Sequence, residues 1–352
     1  MNRSFKIDRK FVPLLATVGL FTIGYVLGAI KYPGMARPQT FFNLFIDNAF
    51  LLIAATGLTL VIISGGIDLS VGAVIALTSV VAADLMEHVG LSSLVVMPLM
   101  LLMGAAFGAL MGGIIHYFKV QPFIVTLAGM FFARGMAFFV SLDAITITDP
   151  IYRSLSLARI HLIGKAFVSV HVIVAFVVLA VFMYLAHLTR FGRTVYAMVG
   201  NEQSARLMGL NVGRTKVMVY TLGGFCSALA GLVFSNNLLS GHGLYANGLE
   251  MEAIAAVIIG GTLLTGGVGY VFGTMFGVLV NGLIQVLIIF NGELSSWWTR
   301  IVIGLLTLVF ILVQSTFTSW QRRQAGIRPT RKRSDAVATT SDGAVVPDTP
   351  TS

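Results

Sequence analysis

The feature that most constrains this chain is a series of apolar runs that recurs from Phe11 to Phe317. A run of about 20 apolar residues, wound as a helix, is long enough to cross the hydrocarbon layer of a bilayer. Charged residues make up only 11% of the sequence, whereas a soluble protein of this length needs a polar surface. We therefore predict an all-α polytopic membrane protein of about ten transmembrane helices, at residues 11–30, 44–63, 71–87, 91–115, 121–141, 166–187, 217–236, 251–265, 270–290 and 297–317.

Polar segments flank this membrane domain at both ends. No small-residue cleavage site follows the first apolar run, so we expect it to be an uncleaved span rather than a signal peptide. The last stretch is basic and then rich in Ser, Thr, Pro and Asp, which is typical of disordered chain near a lipid surface. The expected organisation is an N-terminal segment 1–10, a transmembrane domain 11–317 with a polar loop at 188–216, and a disordered tail 318–352.

The distribution of basic residues predicts the orientation of the chain. With ten spans, most Lys and Arg outside the spans fall on the side of the N-terminus, and such residues favour the cytoplasm. Both termini are then cytoplasmic. The predicted inside set is Arg3, Lys6, Arg9, Lys10, Lys119, Arg190, Arg193, Arg206, Arg214, Lys216, Arg322, Arg323, Arg328, Arg331, Lys332 and Arg333; the outside set is Lys31, Arg37, Arg153, Arg159, Lys165 and Arg300.

The longest polar run between the first and last spans is Arg190 to Lys216, and it contains a short predicted helix from Asn201 to Gly209. Asn201 can cap the helix with its side-chain oxygen, and Gly209 can take the left-handed conformation that ends it. Ala205 and Met208 are three residues apart, so we expect them to share one apolar face. Such a helix on the cytoplasmic side is suited to dock against a partner.

Two glycine-rich stretches interrupt the helical pattern, Ser64–Gly72 and Gly260–Gly269. The second nearly fits a phosphate-binding loop, but Gly267 stands where the lysine is needed, so nucleotide binding is excluded. Non-helical backbone at membrane depth occurs where it is buried in protein or lines water. Asp68 and Ser70 either cap the helix that starts near Val71 or contribute to a gate or pathway.

Several other polar side chains fall within the predicted spans, where a charge is costly and usually faces a cavity or a partner. Glu250 and Glu252 also suit the first turn of a helix, so capping explains them as well as transport does. Arg134 requires a carboxylate or backbone carbonyls nearby. Together with Asp68 and Ser70, the candidate pathway residues are Arg134, Glu250, Glu252, Asn281 and Gln285.

The sequence offers no catalytic or metal-binding constellation. No histidine pair has metal-ligand spacing on one helix, and neither an H-E-x-x-H nor a G-x-S-x-G motif occurs. The single cysteine, Cys226, lies in an apolar run and suits a buried position. Glycines spaced by four, at Gly104-Gly108-Gly112 and Gly269-Gly273-Gly277, allow helices either to pack closely or to slide. We expect neither an enzyme nor a bound cofactor.

Four stretches resemble the permease subunits of bacterial ribose-type sugar ABC importers. They are SGGIDLSVGAVIA (64–76), QPFIVTLAGMFFARG (121–135), RFGRTVYAMVGNEQSARLMGL (190–210) and EMEAIAAVIIGGTLLTGGVG (250–269), and they occur in the family's order. Including LSSWWTRIVIG at 294–304, the chain is most similar to a permease of the galactofuranose importer. The family usually has Asp where this chain has Glu252.

The resemblance implies a transport subunit of the inner membrane that moves a monosaccharide, galactofuranose or a similar sugar. The partners it implies are a cytoplasmic ATP-binding subunit, a second permease (a related chain or another copy), a periplasmic sugar-binding protein and the lipid bilayer, but no nucleic acid. The loop helix corresponds to the family's coupling segment, which docks on the ATPase. The residues assigned to this contact are Asn201, Glu202, Ala205, Arg206, Met208 and Gly209.

An ion-coupled secondary sugar transporter is the alternative from a different class. It would carry its own ion site at the membrane midplane, such as paired carboxylates beside an unwound helix. Asp68 or Asp84 could serve there, although neither has a visible partner in the sequence. Such a transporter has no use for a cytoplasmic docking helix.

Overall fold

The structure, a computed structural model, describes residues 12–163, 166–295 and 297–324. Within these ranges the chain is almost entirely helical. The helices are α1 (Val12–Lys31), α2 (Pro38–Asp47), α3 (Ala49–Ile63), α4 (Val71–Glu87), α5 (Ser93–Tyr117), α6 (Pro122–Val140), α7 (Pro150–Leu157), α8 (Val170–Leu188), α9 (Arg190–Gly200), α10 (Glu202–Leu207), α11 (Val212–Leu238), α12 (Leu249–Ile259), α13 (Val271–Asn291) and α14 (Trp297–Gln324), with a short 3₁₀ turn at Pro33–Ala36.

Four short strands form two antiparallel pairs in the loops. Strand β1 (Ile145–Thr146) pairs with β4 (Ser240–Gly241), and β2 (Arg159–Ile163) pairs with β3 (Ala166–Ser169). The first pair ties the loop after α6 to the loop after α11, although nearly a hundred residues separate them in the sequence. These pairs and α7 were not predicted from the sequence.

A helix lies at each of the ten predicted spans, but not all of these helices are full spans. In the described residues, seven are long and apolar enough to cross a membrane, or eight if α2 and α3 count as one span bent by 53°. Helix α4 has 17 residues and α12 only 11. A helix of 11 residues covers about 16 Å, roughly half of a bilayer's hydrocarbon layer. The predicted span at 251–265 is therefore wrong at its C-terminal end, because Gly260 and Gly261 end the helix.

Helix α11 lies at the centre of the bundle, packed against α5, α3 and α4. Glycines make the closest contact possible, because a Cβ on Gly108 of α5 would overlap the carbonyl of Tyr220 in α11. Helix α3 is buried along its length except at Phe50, as expected of a helix that is apolar on every side. The glycine spacing on α5 therefore serves close helix packing.

The bundle has two distinct ends. Helices α9 and α10 lie beside the turn between α5 and α6, and we call this the basic end because it carries Lys119, Arg206 and Lys216. The opposite end carries α7, whose Tyr152 hydroxyl donates to the carbonyl of Leu232 near the end of α11. The basic residues predicted in segment 1–10 and after residue 324, together with Lys165, lie outside the described residues.

The last helix is longer than predicted. The bundle forms one compact unit up to Gln314, and the residues that follow belong to a second unit. Helix α14 continues to Gln324, so residues 318–324, which were predicted to begin a disordered tail, are helical. No glycine or proline stands in this stretch to stop the helix before Gly326.

Candidate functional site

The candidate site at the basic end begins with a tight turn between α8 and α9. The hydroxyl of Thr189 accepts a hydrogen bond from the Gly192 N–H at 3.2 Å and caps α9. A Cβ on Gly192 would overlap the Ala186 carbonyl, so only glycine fits this close approach. The turn lays α9 against the bundle, with Val195 and Met198 buried beneath it.

Helix α10 has the local structure that its sequence predicts. The side-chain oxygen of Asn201 accepts a hydrogen bond from the Ser204 N–H at 2.9 Å. The helix runs from Glu202 to Leu207, and Gly209 has a φ of +80°, a left-handed conformation that few other residues adopt. The predicted cap, body and stop of this helix are therefore all confirmed.

The expected apolar face of α10 is wrong. Ala205 is fully buried, in a small cluster with Met198 and Val212, whereas the side chain of Met208 is 69% exposed. The two residues therefore do not share a docking surface. Spacing along α10 could not reveal this, because α9 and the start of α11 together cover the Ala205 side.

The exposed apolar surface of α10 consists of Leu207 and Met208. Leu207, at 83% exposure, was missed in the sequence interpretation. Two large apolar side chains at the exposed tip of a polar loop are a signal for a contact surface. We call Leu207 and Met208 the apolar tip.

Two cations bind Glu202, one within α10 and one on α11. The carboxylate of Glu202 accepts hydrogen bonds from Arg206 at 2.6 Å and from Lys216 of α11 at 3.1 Å. Partial burial raises the pKa of Glu202, but the hydrogen bonds and charges of Lys216 and Arg206 outweigh it, so the pKa lies below its ordinary value. Glu202 thus remains ionised at neutral pH and, through Lys216, joins α10 to α11, the central helix of the bundle.

Two neighbouring clefts adjoin α10. One of about 650 Å³ separates α10 from the turn between α5 and α6, and is lined by Lys119, Gln121 and Gln203 among others. A second of about 470 Å³ leads from Asn201 to Gly66 and Tyr220. Helix α10 is therefore separated from part of the bundle by open space.

The two glycine-rich loops meet beneath α9. The Gly267 N–H donates to the carbonyl of Ile63 at 2.9 Å. A Cβ on Gly266 would lie 2.8 Å from the Gly65 Cα, so the two backbones touch. We call the contact between loops 64–70 and 260–270 the glycine junction. Both loops interrupt the helices as predicted.

Asp68 and Ser70 do not cap α4 with their side chains. Ser70 occupies the N-cap position, but its hydroxyl donates to the Asp68 carboxylate at 2.6 Å instead of accepting from the helix. The same carboxylate oxygen accepts from the Ser70 N–H at 2.8 Å. Both residues are buried, so the capping interpretation is wrong, and the pair forms a closed turn at the start of α4.

The first turns of α4 and α12 face each other inside the bundle. Glu250 is buried, and its Oε2 has no hydrogen-bond partner in the described chain. A Cβ on Gly72 would overlap this oxygen and would also lie 2.6 Å from the Ala246 carbonyl oxygen. Two short helices thus start around one unpaired carboxylate oxygen.

Glu252 lies on another side of α12 and is half-buried. Its backbone carbonyl accepts from the Asn281 side chain of α13 at 3.2 Å. Its side chain and Arg300 of α14 line one cleft of about 540 Å³ between α12 and α14. Gln285, one turn beyond Asn281, is half-buried as well.

The structure identifies the partners of Arg134. Its Nη1 donates to the carbonyls of Gly243 and Tyr245, each at 2.7 Å. The backbone carbonyls expected for this arginine are therefore those of the loop between α11 and α12. This contact holds that loop against α6, close to Glu250 at the start of α12.

Sequence comparisons identify the family. The family described as the permease component of branched-chain amino acid transport systems matches residues 40–311. The chain belongs to this permease family. An inner membrane ABC transporter permease of Escherichia coli, YjfF, is 48% identical over 90% of this chain and 96% of its own length. No solved structure matches the chain.

Two further relatives have names that state a sugar. The fructose import permease FruG of Bifidobacterium longum is 42% identical over 89% of this chain and 93% of its own length. The ribose import permease RbsC of Haemophilus influenzae is 35% identical over 89% of this chain and 96% of its own length. These relatives are transport subunits, so this multi-span membrane protein belongs with transport components rather than with enzymes.

Proposed function

We propose that this chain is the membrane permease subunit of an ATP-driven monosaccharide importer, with galactofuranose or a similar sugar as its substrate. The observation that carries the proposal is α10, a capped helix with an exposed apolar tip that borders two clefts. Relatives named for fructose and ribose import support a sugar rather than an amino acid as substrate. The sugar is delivered by a periplasmic binding protein.

In this proposal α10 couples the permease to a cytoplasmic ATP-binding subunit. Leu207 and Met208 fill a groove on that subunit, and Asn201, Gly209 and the Glu202–Arg206 pair keep the helix in shape. Burying each of the two large side chains stabilises the contact by about 1.5–3 kcal/mol. ATP-driven closure of two ATPase subunits then moves α10, while hydrolysis takes place on the partner.

The basic end therefore faces the cytoplasm, in agreement with the excess of Lys and Arg predicted for that side. A second permease, either a related chain or another copy, completes the pathway. The sugar passes polar groups near the start of α4 and α12, where Asp68, Ser70 and Glu250 lie. Glu252, Asn281 and Gln285 contribute further polar groups, and Arg134 holds the loop that closes this region.

The experiment is co-purification of the chain with its ATPase subunit, using Leu207→Asp combined with Met208→Asp. The two substitutions should lower ATPase recovery by tenfold or more, because each replaces an apolar side chain that is buried in the groove by a charged one. The matched control is Leu157→Asp in α7, a residue 65% exposed at the opposite end of the bundle. This control should retain the ATPase.

Uptake assays complete the test. Labelled galactose should enter vesicles in an ATP-dependent way when loaded binding protein is present, with ribose and fructose as competing sugars. If the Leu207 and Met208 double variant binds the ATPase as well as the unmodified chain, the docking assignment is wrong. If sugar uptake follows an ion gradient without ATP, the chain is a secondary transporter instead.

A further inference from the structure

Helix α9 makes two contacts with the glycine junction that the proposed function does not explain. The hydroxyl of Tyr196 donates to the Gly269 carbonyl at 2.8 Å. One turn further, the methyl groups of Val199 lie against both loops, since a Cβ on Gly65 or Gly267 would be 3.5 to 3.7 Å from them. A single helix, one residue away from α10, therefore touches both halves of the junction.

The position of Tyr196 is set by its aromatic neighbours. The ring of His187 in α8 stacks on Tyr196 with the centroids 6.1 Å apart and the planes at 28°. The same histidine ring lies 5.8 Å from the ring of Tyr270, the last residue of the junction. These contacts restrict the tyrosine ring to one orientation, so its hydroxyl points at Gly269.

The two loops of the junction are in direct backbone contact. Gly65, Gly266 and Gly267 have φ values of +80°, +76° and +78°, which only glycine adopts without strain. The Gly267 N–H donates to the Ile63 carbonyl, and the backbones at Gly65 and Gly266 leave no room for a side chain between them. We therefore expect the two loops to move together.

Helices α4 and α12 both connect to this junction. Helix α4 begins after loop 64–70, and α12 ends at loop 260–270. Their first turns meet again at Gly72 and Glu250, beside the unpaired carboxylate oxygen. A displacement of the junction thus shifts the group of polar residues where α4 and α12 start.

We propose that Tyr196 and Val199 of α9 form the link that transmits movement of α10 to the glycine junction, and through it to the starts of α4 and α12. This proposal rests on the proposed function, because α10 must be moved by an ATPase. Tyr196 and Val199 are positioning residues, since they act on the pathway through the two loops. Removing the link uncouples the helices while leaving the ATPase contact intact.

The test uses a reporter cysteine at Asn247, an exposed residue at the start of α12. The chain's own Cys226 is fully buried, so the background reaction with a water-soluble maleimide is low. The rate of Asn247→Cys labelling is measured in the assembled complex, with and without a non-hydrolysable ATP analogue. Three backgrounds are compared: the unmodified chain, Tyr196→Phe with Val199→Ala, and the control Tyr184→Phe on the exposed face of α8.

We expect the nucleotide to change the labelling rate several-fold in the unmodified chain and in the Tyr184→Phe control. In the Tyr196 and Val199 double variant the nucleotide should leave the labelling rate nearly unchanged, because one hydrogen bond and its packing are lost. ATPase recovery and basal hydrolysis should be unchanged. If the double variant is unstable, the single variant Val199→Ala takes its place. It keeps the Tyr196 hydrogen bond and should give an intermediate nucleotide response.

The link is overturned if the double variant and Val199→Ala both bind the ATPase and both show the same nucleotide response as the unmodified chain. If the unmodified chain does not recover the ATPase, the proposed function is wrong, and the link that rests on it is wrong as well. The two failures are distinguished by the recovery of the ATPase, which does not depend on the labelling reaction.

Discussion

At the scale of the residue, Glu202 shows how one carboxylate stabilises a small helix. It accepts hydrogen bonds from Arg206 within α10 and from Lys216 at the start of α11. The side chain is 40% exposed, so each ion pair contributes about 0.2–1 kcal/mol, as is usual near a protein surface. The larger effect is geometric, since Lys216 connects the docking helix to the bundle's central helix.

The pH dependence follows from the lowered pKa of Glu202. Above the ordinary pKa the carboxylate is charged in both states, and its ion pairs stabilise the folded chain. As the pH falls through the lower folded pKa, the group takes up a proton and that stability is lost. Glu202→Gln should therefore lower the thermal unfolding midpoint of the purified chain at pH 7, by an amount equivalent to about 0.2–1 kcal/mol.

The same substitution should have almost no effect at a pH below the folded pKa. Glu293→Gln, at an exposed site between α13 and α14, is the control and should leave the thermal unfolding midpoint unchanged at acidic and at neutral pH. An equal loss at acidic and neutral pH would show that packing of the Glu202 side chain, and not its charge, stabilises α10.

Single residues of α10 were predictable only where the signal is local. Asn201 and Gly209 act on their own backbone, so sequence alone gave their roles as cap and stop. Ala205 could not be assigned correctly, because its burial depends on Met198 and Val212 in neighbouring elements. Arg134 was predicted to need either a carboxylate or backbone carbonyls, and only the fold shows that the carbonyls of Gly243 and Tyr245 bind it.

At the scale of the element, the contact between α5 and α11 depends on glycine. Gly108 faces the backbone of α11, where a Cβ would overlap the Tyr220 carbonyl. Gly113 stands on the same helix, but a Cβ there would be 4.0 Å from the nearest atom, the Tyr117 ring. The two glycines differ in surroundings while sharing one helix.

We expect opposite effects from the same substitution at these two sites. Gly108→Ala should destabilise the chain by about 1–3 kcal/mol, because α5 and α11 must move apart. Gly113→Ala should stabilise it by about 0.5–1 kcal/mol, because alanine loses less backbone entropy than glycine in a helix. Thermal unfolding of the purified chain in detergent measures both, and equal effects would contradict the proposed contact.

Elements with a strong apolar signal were predicted well. The predicted spans at 71–87, 121–141 and 270–290 differ from α4, α6 and α13 by at most one residue at each end. The bend between α2 and α3 at Asn48 was missed, because apolar residues continue on both sides of it. The strand pairs were also missed, because each strand forms only by pairing with another segment and its own sequence pattern does not indicate it.

At the scale of the whole molecule, orientation follows from charge. The apolar tip at the basic end should face the cytoplasm, and α7 should face the opposite side. Leu207→Cys should therefore react with a membrane-impermeant maleimide only after cells are opened, and Leu157→Cys should react in intact cells. Both side chains are exposed, so accessibility within the protein does not limit the reaction.

The buried Cys226 serves as the internal control for this labelling, since it should remain unreacted in both variants. Reaction of Leu207→Cys in intact cells would reverse the orientation and place α10 out of reach of a cytoplasmic ATPase. The sequence supports the predicted orientation through loop charges, several of which lie outside the described residues.

The brevity of α12 has a consequence for how the chain is made. Its 11 residues are too few to enter a bilayer alone as a spanning helix. Asn281 of α13 holds the Glu252 carbonyl, and a Cβ on Gly277 would overlap the carbonyl of Ala256, so α13 supplies the surface that α12 needs. We therefore expect α12 to enter the membrane together with α13 rather than alone.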